Sequence, residues 1–108
     1  MDKKEIFNQL KKSLRESKKP VARIHALDLL YEKFPLDALP VIIDTFYSDK
    51  SSKVRAKAVK LLGNYKERAA IETLLKARDD VDKKVLTAVK SVLKKVKVLK
   101  NIENIYGK

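Results

Sequence analysis

The 108-residue sequence contains no cysteine and no tryptophan, and only one histidine, one methionine, two glycines and three prolines. Without cysteine there is no disulfide framework and no thiolate nucleophile or ligand. A lone histidine, His25, excludes a site built from clustered imidazoles. Two glycines, Gly63 and Gly107, cannot make a glycine-rich phosphate loop. The longest strongly apolar run, ALPVII at 38–43, is far too short to cross a bilayer. The opening MDKKEIFNQLKK lacks the apolar core of a secretory signal. These absences point to a cytoplasmic location and no membrane partner.

What is present is charge on an apolar frame. Apolar residues make up 44 % and charged residues 37 %, so a core is affordable despite the charge. The length suits one domain, 1–108. The formal net charge is +12, which favours an acidic protein partner or a nucleic acid without deciding between them. The excess is uneven. Residues 1–19 carry seven basic and three acidic groups, residues 20–82 eleven and ten, and residues 83–108 eight and one. Abundant lysine, absent cysteine and a single glutamine, Gln9, also fit thermophile usage.

The chain repeats itself. A shift of 32 residues lays Ala22, Arg23, Ala26, Leu29 and Leu30 on Val54, Arg55, Ala58, Leu61 and Leu62. A further 31 lays Val54, Ala58, Leu61 and Leu62 on Val85, Val89, Val92 and Leu93, and Asp49 on Asp80. Such a period is the mark of stacked helix pairs. Val54, Ala58, Leu61 and Leu62 lie on one helical face, with Lys53, Lys57 and Lys60 turned away. Ser51 or Ser52 is expected to cap this helix and Gly63 to end it in the left-handed conformation. A second helix is expected over 67–78, with Ala70, Ile71, Leu74 and Leu75 inward. Pro20 suits a first helical turn, Pro35 breaks the chain after Phe34, and Asp37 is a candidate cap for the helix that follows. Ile6, Phe7, Leu10 and Leu14 mark an N-terminal helix covering the open end of the first unit. Ile24, Leu27 and Tyr31 add a second apolar face to the next helix, which either packs on that N-terminal helix, the favoured expectation, or is exposed for a partner. The third unit has no Gly or Pro in KKVKVLKN, so it reads as two helices or one bent helix.

The stretch LPVIIDTFYSDKSSKVRAKAVKLLG resembles the HEAT repeat, in the short form first associated with phycobilisome lyases. Its apolar helix, turn aspartate, then Val-Arg, Ala and Leu-Leu-Gly carry the resemblance, which covers roughly 17–106. It implies an all-α, right-handed α-solenoid of about seven helices: a capping helix at 1–16 and three helix pairs at 17–48, 49–79 and 80–108. Second helices would line the inner face and first helices the outer one. The resemblance also implies a structural ladder between turn aspartates and first-helix arginines, here Asp49, Asp80, Arg23 and Arg55. Ser17 and Leu86 stand where the first aspartate and the third arginine would be, so the ladder is expected to be incomplete at both ends.

No catalytic constellation accompanies this frame. His25 aligns with Lys57, an outward position, and the His-Glu pairs of metal-dependent HEAT-like hydroxylases are missing. RDDVDKK at 78–84 lacks the glycine and distal glutamate of a calcium loop, and helix capping explains its aspartates better. The expectation is a non-catalytic module with no cofactor and no small-molecule substrate.

The lysines are then the candidate contacts. Lys83, Lys90, Lys94 and Lys97 form a stripe opposite Val85, Val89, Val92 and Val96, widened by Lys84, Lys95 and Lys100. Lys11, Lys12, Arg15, Lys18 and Lys19 make a second cluster. No aromatic residues are interleaved, and lysine outnumbers arginine, so base stacking and bidentate base reading are not suggested. The leading reading is a protein-interaction adaptor for an acidic partner or a nucleic-acid-handling assembly. The alternative is direct DNA or RNA binding without sequence preference through the lysine faces.

Overall fold

A computed structural model describes residues 1–95. Over these the chain forms six α-helices and no strand: α1 (Lys3–Glu16), α2 (Pro20–Lys33), α3 (Pro35–Ser48), α4 (Ser52–Leu62), α5 (Arg68–Ala77) and α6 (Lys83–Lys95). None of them is long and apolar enough to cross a membrane. The expected seventh helix lies outside the described residues, as do Val96, Lys97 and Lys100.

Local chemistry sets the helix starts. Asp2 Oδ1 accepts the Glu5 N–H at 2.8 Å and caps α1. Pro20 and Pro35 open α2 and α3, where a missing N–H costs nothing. Phe34 ends α2 and precedes α3 directly, so no space remains for a side-chain cap. Asp37 accordingly sits inside the first turn of α3, where its charge suits the helix dipole, and does not cap it. Ser51 stands at the N-cap of α4 but makes no capping bond with its side chain, and neither does Ser52. Asp49 Oδ1 instead accepts the Ser51 N–H at 2.9 Å, folding the entry turn from outside the helix.

The first helices α2, α4 and α6 form one closely packed layer. Its seams carry small residues, with Ala26, Ala56, Ala58 and Ala88 all buried, so the backbones approach closely. α3 and α5 cover one side of that layer and touch each other little. The tight side is therefore the first-helix layer, the one expected on the outside; alanine at the seams is the reason. Leu27, Leu30, Ile42, Val54, Val59, Leu62 and Val85 are fully enclosed and form the centre of the core.

Two apolar faces differ from expectation. On α5 the buried face is Ala70, Thr73, Leu74 and Ala77, while Leu75 is 45 % exposed. Thr73 enters the core because its hydroxyl donates to the Ala69 carbonyl at 2.8 Å. On α2 Ile24 and Tyr31 lie toward α4 and the turn that follows it, with Leu27 fully buried. Tyr31 meets Tyr65 edge-on at 5.8 Å, and Ile24 lies beside residues of α4 and α6. α1 is held instead through Phe7, edge-on to Phe34 at 5.3 Å.

Candidate interaction surfaces

The first-helix N-termini lie along one edge, and there the repeat produces the same polar unit twice. Arg23 donates through Nε and Nη2 to Asp49 Oδ2 and Oδ1 at 2.8 and 2.9 Å, and through Nη1 to the Ser17 carbonyl at 2.9 Å. Arg55 donates to Asp80 Oδ2 and Oδ1 at 3.1 and 3.4 Å, and to the Asp49 carbonyl at 3.1 Å. Each aspartate also accepts the N–H two residues on, Ser51 for Asp49 and Asp82 for Asp80, both at 2.9 Å. One carboxylate thus closes its own turn and holds the guanidinium of the preceding unit. A planar fork of donors suits this bidentate geometry, and lysine would not replace it.

The electrostatics follow. Hydrogen bonding to Asp49 raises the Arg23 pKa against the opposing effect of burial, and the Asp49 charge adds to the rise. Burial pushes Asp80 up, but hydrogen bonds from Arg55 and from the Asp82 N–H, together with the Arg55 charge and the Val81 N–H, outweigh it. The carboxyl ends below its ordinary value of 3.8. At the ends of the ladder, Ser17 Oγ accepts the Lys19 N–H at a long 3.4 Å, and the partly buried Leu86 holds the arginine position. Asp82 Oδ1 accepts the Lys84 N–H at 2.8 Å, so the acidic turn at 79–82 is used for capping. Among the described residues no group of three His, Asp or Glu side chains is placed to hold a metal ion. His25 is exposed.

The lysines divide between two grooves. One, of about 900 Å³, lies between α1 and α3 and is lined by Lys11, Arg15 and Lys18 but also by Glu16, Asp44 and Asp49. Lys12 and Lys19 are exposed outside it. The other, of about 500 Å³, crosses α2, α4 and α6 and is lined by Lys53, Lys57, Lys60, Lys83 and Lys84 around Ile24, Ala56 and Thr87. Lys90, Lys94 and Lys95 continue along the exposed face of α6. Lys11, Arg15 and Lys18 of one expected cluster and Lys83 and Lys84 of the other therefore line separate grooves. The sequence leaves Lys53, Lys57 and Lys60 on an outward face free to meet a partner, and the structure joins them to Lys83 and Lys84 in one groove. The repeat carries the signal: Lys53 and Lys84 are 31 residues apart and stand in the same register.

α4 and α6 contain no acidic residue at all, whereas α3 carries Asp37 and Asp44 and no basic one. Lys57 Nζ reaches Asp28 Oδ1 on α2 at 2.8 Å. Among the described residues no carboxylate comes within ion-pair distance of Lys53, Lys60, Lys83 or Lys84. A family model described as HEAT repeats matches residues 7–94. No curated protein and no solved structure matches the chain significantly.

Proposed function

The chain belongs to the HEAT-repeat family, whose members generally mediate protein–protein interactions, and on that basis we propose that it is a non-catalytic adaptor for an acidic protein partner. The proposal takes the stack to be a right-handed solenoid of three helix pairs behind a capping helix, working in the cytoplasm of a heat-adapted cell. The observation that carries it is the unbalanced charge of α4 and α6, which bear nine lysines and arginines and no acid. Arg55 is tied to Asp80 and Lys57 to Asp28, but the other lysines have no carboxylate within ion-pair distance among the described residues and repel one another across solvent. Like charges this close cost a few tenths of a kcal/mol per pair in a helix. A partner that supplies carboxylates relieves that repulsion and gains from it in association rate.

Crosslinking capture from the native cell, with and without nuclease, tests the reading. The adaptor keeps protein partners after nuclease treatment, and those partners present acidic surfaces. Loss of every partner with nuclease would overturn it. The net charge of +12 also supports direct phosphate binding as a second reading. That reading requires duplex DNA or structured RNA to bind with a log–log salt slope near −0.9 per duplex phosphate contacted, between about 50 and 200 mM salt.

A further inference from the structure

The smaller groove is built from one repeated position. Ile24, Ala56 and Thr87 are separated by 32 and 31 residues, so each occupies the same place on its own first helix. Lys53 and Lys84 form the neighbouring column, with Val21 at that place on α2, 74 % exposed. The groove therefore runs across three helices rather than along one. Neighbouring helix axes stand about 8–10 Å apart, so the groove spans roughly 16–20 Å. An extended chain rises about 3.3 Å per residue, so some five to six residues would cross it. We propose that this groove docks an extended acidic segment of a protein partner. One apolar side chain of the segment sits on Ile24 and Ala56, and its carboxylates meet Lys53, Lys60, Lys83 and Lys84.

Several features favour a peptide over a nucleic acid. A phosphate backbone has nothing to place on Ile24 and Ala56, whereas an extended peptide presents alternate side chains to floor and rim. The rim holds no arginine fork and no aromatic ring, so neither paired phosphate recognition nor base stacking is provided. Buried Ala56 leaves a shallow floor that admits a side chain. The larger groove between α1 and α3 mixes Glu16 and Asp44 with its basic residues and offers no single sign to a ligand. The assignment rests on the adaptor reading, which it narrows to one surface and one kind of segment.

Backbone amide NMR of the full chain tests it, with a short Glu/Asp-rich peptide bearing one central leucine as the probe. The amides around Ala56 and Thr87 should shift, and replacing the leucine by serine should weaken binding. The double variant Lys53→Gln/Lys84→Gln should weaken it by about tenfold or more. Lys12→Gln/Lys18→Gln removes the same charge elsewhere and should change it less than about twofold, since charges beyond about 8 Å are screened at physiological salt. All four side chains are exposed, so both variants keep the fold, which circular dichroism verifies. Equal losses from the two pairs would mean that net charge alone attracts the peptide and would overturn the proposal. So would unchanged binding of the serine peptide, shifts confined to α1 and α3, or no shifts. Duplex DNA that displaces the peptide from the same amides would replace it with a phosphate site. If the groove fails while nuclease-resistant partners persist, the adaptor reading stands and only this site is lost.

Discussion

The two ends of α4 are joined to their neighbours by opposite chemistry. At its N-terminal end Arg55, Asp49 and Asp80 interlock through carboxylate, guanidinium and backbone groups. At its C-terminal end the joints are steric and aromatic. Gly63 lies so close to α6 that an added Cβ would meet Val92 Cγ1 at 2.8 Å. Tyr65 is buried, lies edge-on to Tyr31 and donates its hydroxyl to the Pro35 carbonyl at 2.6 Å. Among the described residues the polar end recurs from unit to unit, whereas the apolar end is made once. The polar end fixes how each unit sits on the next; the apolar end fixes how closely the helices approach.

Breaking the polar end should cost most. Removing one member of a buried ion pair leaves an uncompensated charge, typically at a cost of about 3–5 kcal/mol. Arg23→Ala strands Asp49 in the more enclosed rung, where both side chains are under a tenth exposed. Arg55→Ala acts on a longer and more open rung and should cost less. Urea denaturation of both variants gives the order, and an equal or reversed order would refute this ranking of the rungs.

Gly63→Ala probes the other end. The backbone there is ordinary right-handed helix, with φ −62° and ψ −16°, so a left-handed conformation is not the reason for glycine. The reason is Val92, a stiff side chain that cannot swing clear. Overpacking of this kind costs about 1–3 kcal/mol, from which the reduced freedom of the unfolded chain subtracts about 0.4–1 kcal/mol. In a Val92→Ala background the clash disappears, and Gly63→Ala should become neutral or stabilising. A loss of the same size in both backgrounds would place the strain elsewhere.

The ends should also fail at opposite extremes of pH. Burial, with the charges of Tyr31 and Glu67, pushes Tyr65 from 10.0 up to about 12. A raised folded pKa means stability that is complete below the unfolded value and lost as pH climbs through the folded one, here from 10.0 to about 12. Tyr65→Phe removes that alkaline slope, and loses about 1 kcal/mol at neutral pH with its hydrogen bond. Asp80 has the reverse sign. Its lowered pKa contributes stability above the unfolded value of 3.8 that is lost as pH falls through the folded one. Asp80→Asn should flatten the acid limb alone. Thermal melts across both limbs check the pair, and a variant that flattened both would break the assignment.

The same contrast explains what the sequence made legible. Arg23 and Arg55, with Asp49 and Asp80, could be picked out because a polar joint needs particular residue types at a repeated spacing. Gly63 could be picked out too, but its usual role at helix ends suggested a backbone cause. The true cause is a contact with Val92, 29 residues away, that no local rule encodes. Tyr65 has no counterpart in the first unit, where Lys33 holds its place, so the repeat marks it no more than any other aromatic, for which core or rim packing is the default. The lysines were visible singly. Their grouping was not, because a helical wheel joins Lys83 to Lys94 along α6, while stacking joins Lys53 to Lys84 across helices.

The smallest predicted effect completes the polar edge. Ser17 holds the place of Asp49 in the first unit, and its carbonyl already accepts Arg23 Nη1 at 2.9 Å. Its hydroxyl lies 3.4 Å from the Lys19 N–H, where Asp49 and Asp80 make the same contact at 2.9 Å. Ser17→Asp would offer a carboxylate to that N–H, beside the Arg23 guanidinium and at the start of α2, which has no acidic residue in its first turn. Charge near a helix N-terminus contributes about 0.3–1 kcal/mol when exposed, so a gain near 0.5 kcal/mol is expected. It should vanish in an Arg23→Met background if the guanidinium supplies most of it, and persist if the helix dipole does. A loss in the wild-type background would show that the turn at 17–19 cannot tighten to the geometry of its repeats, and the likeness between the Ser17 turn and those of Asp49 and Asp80 would end there.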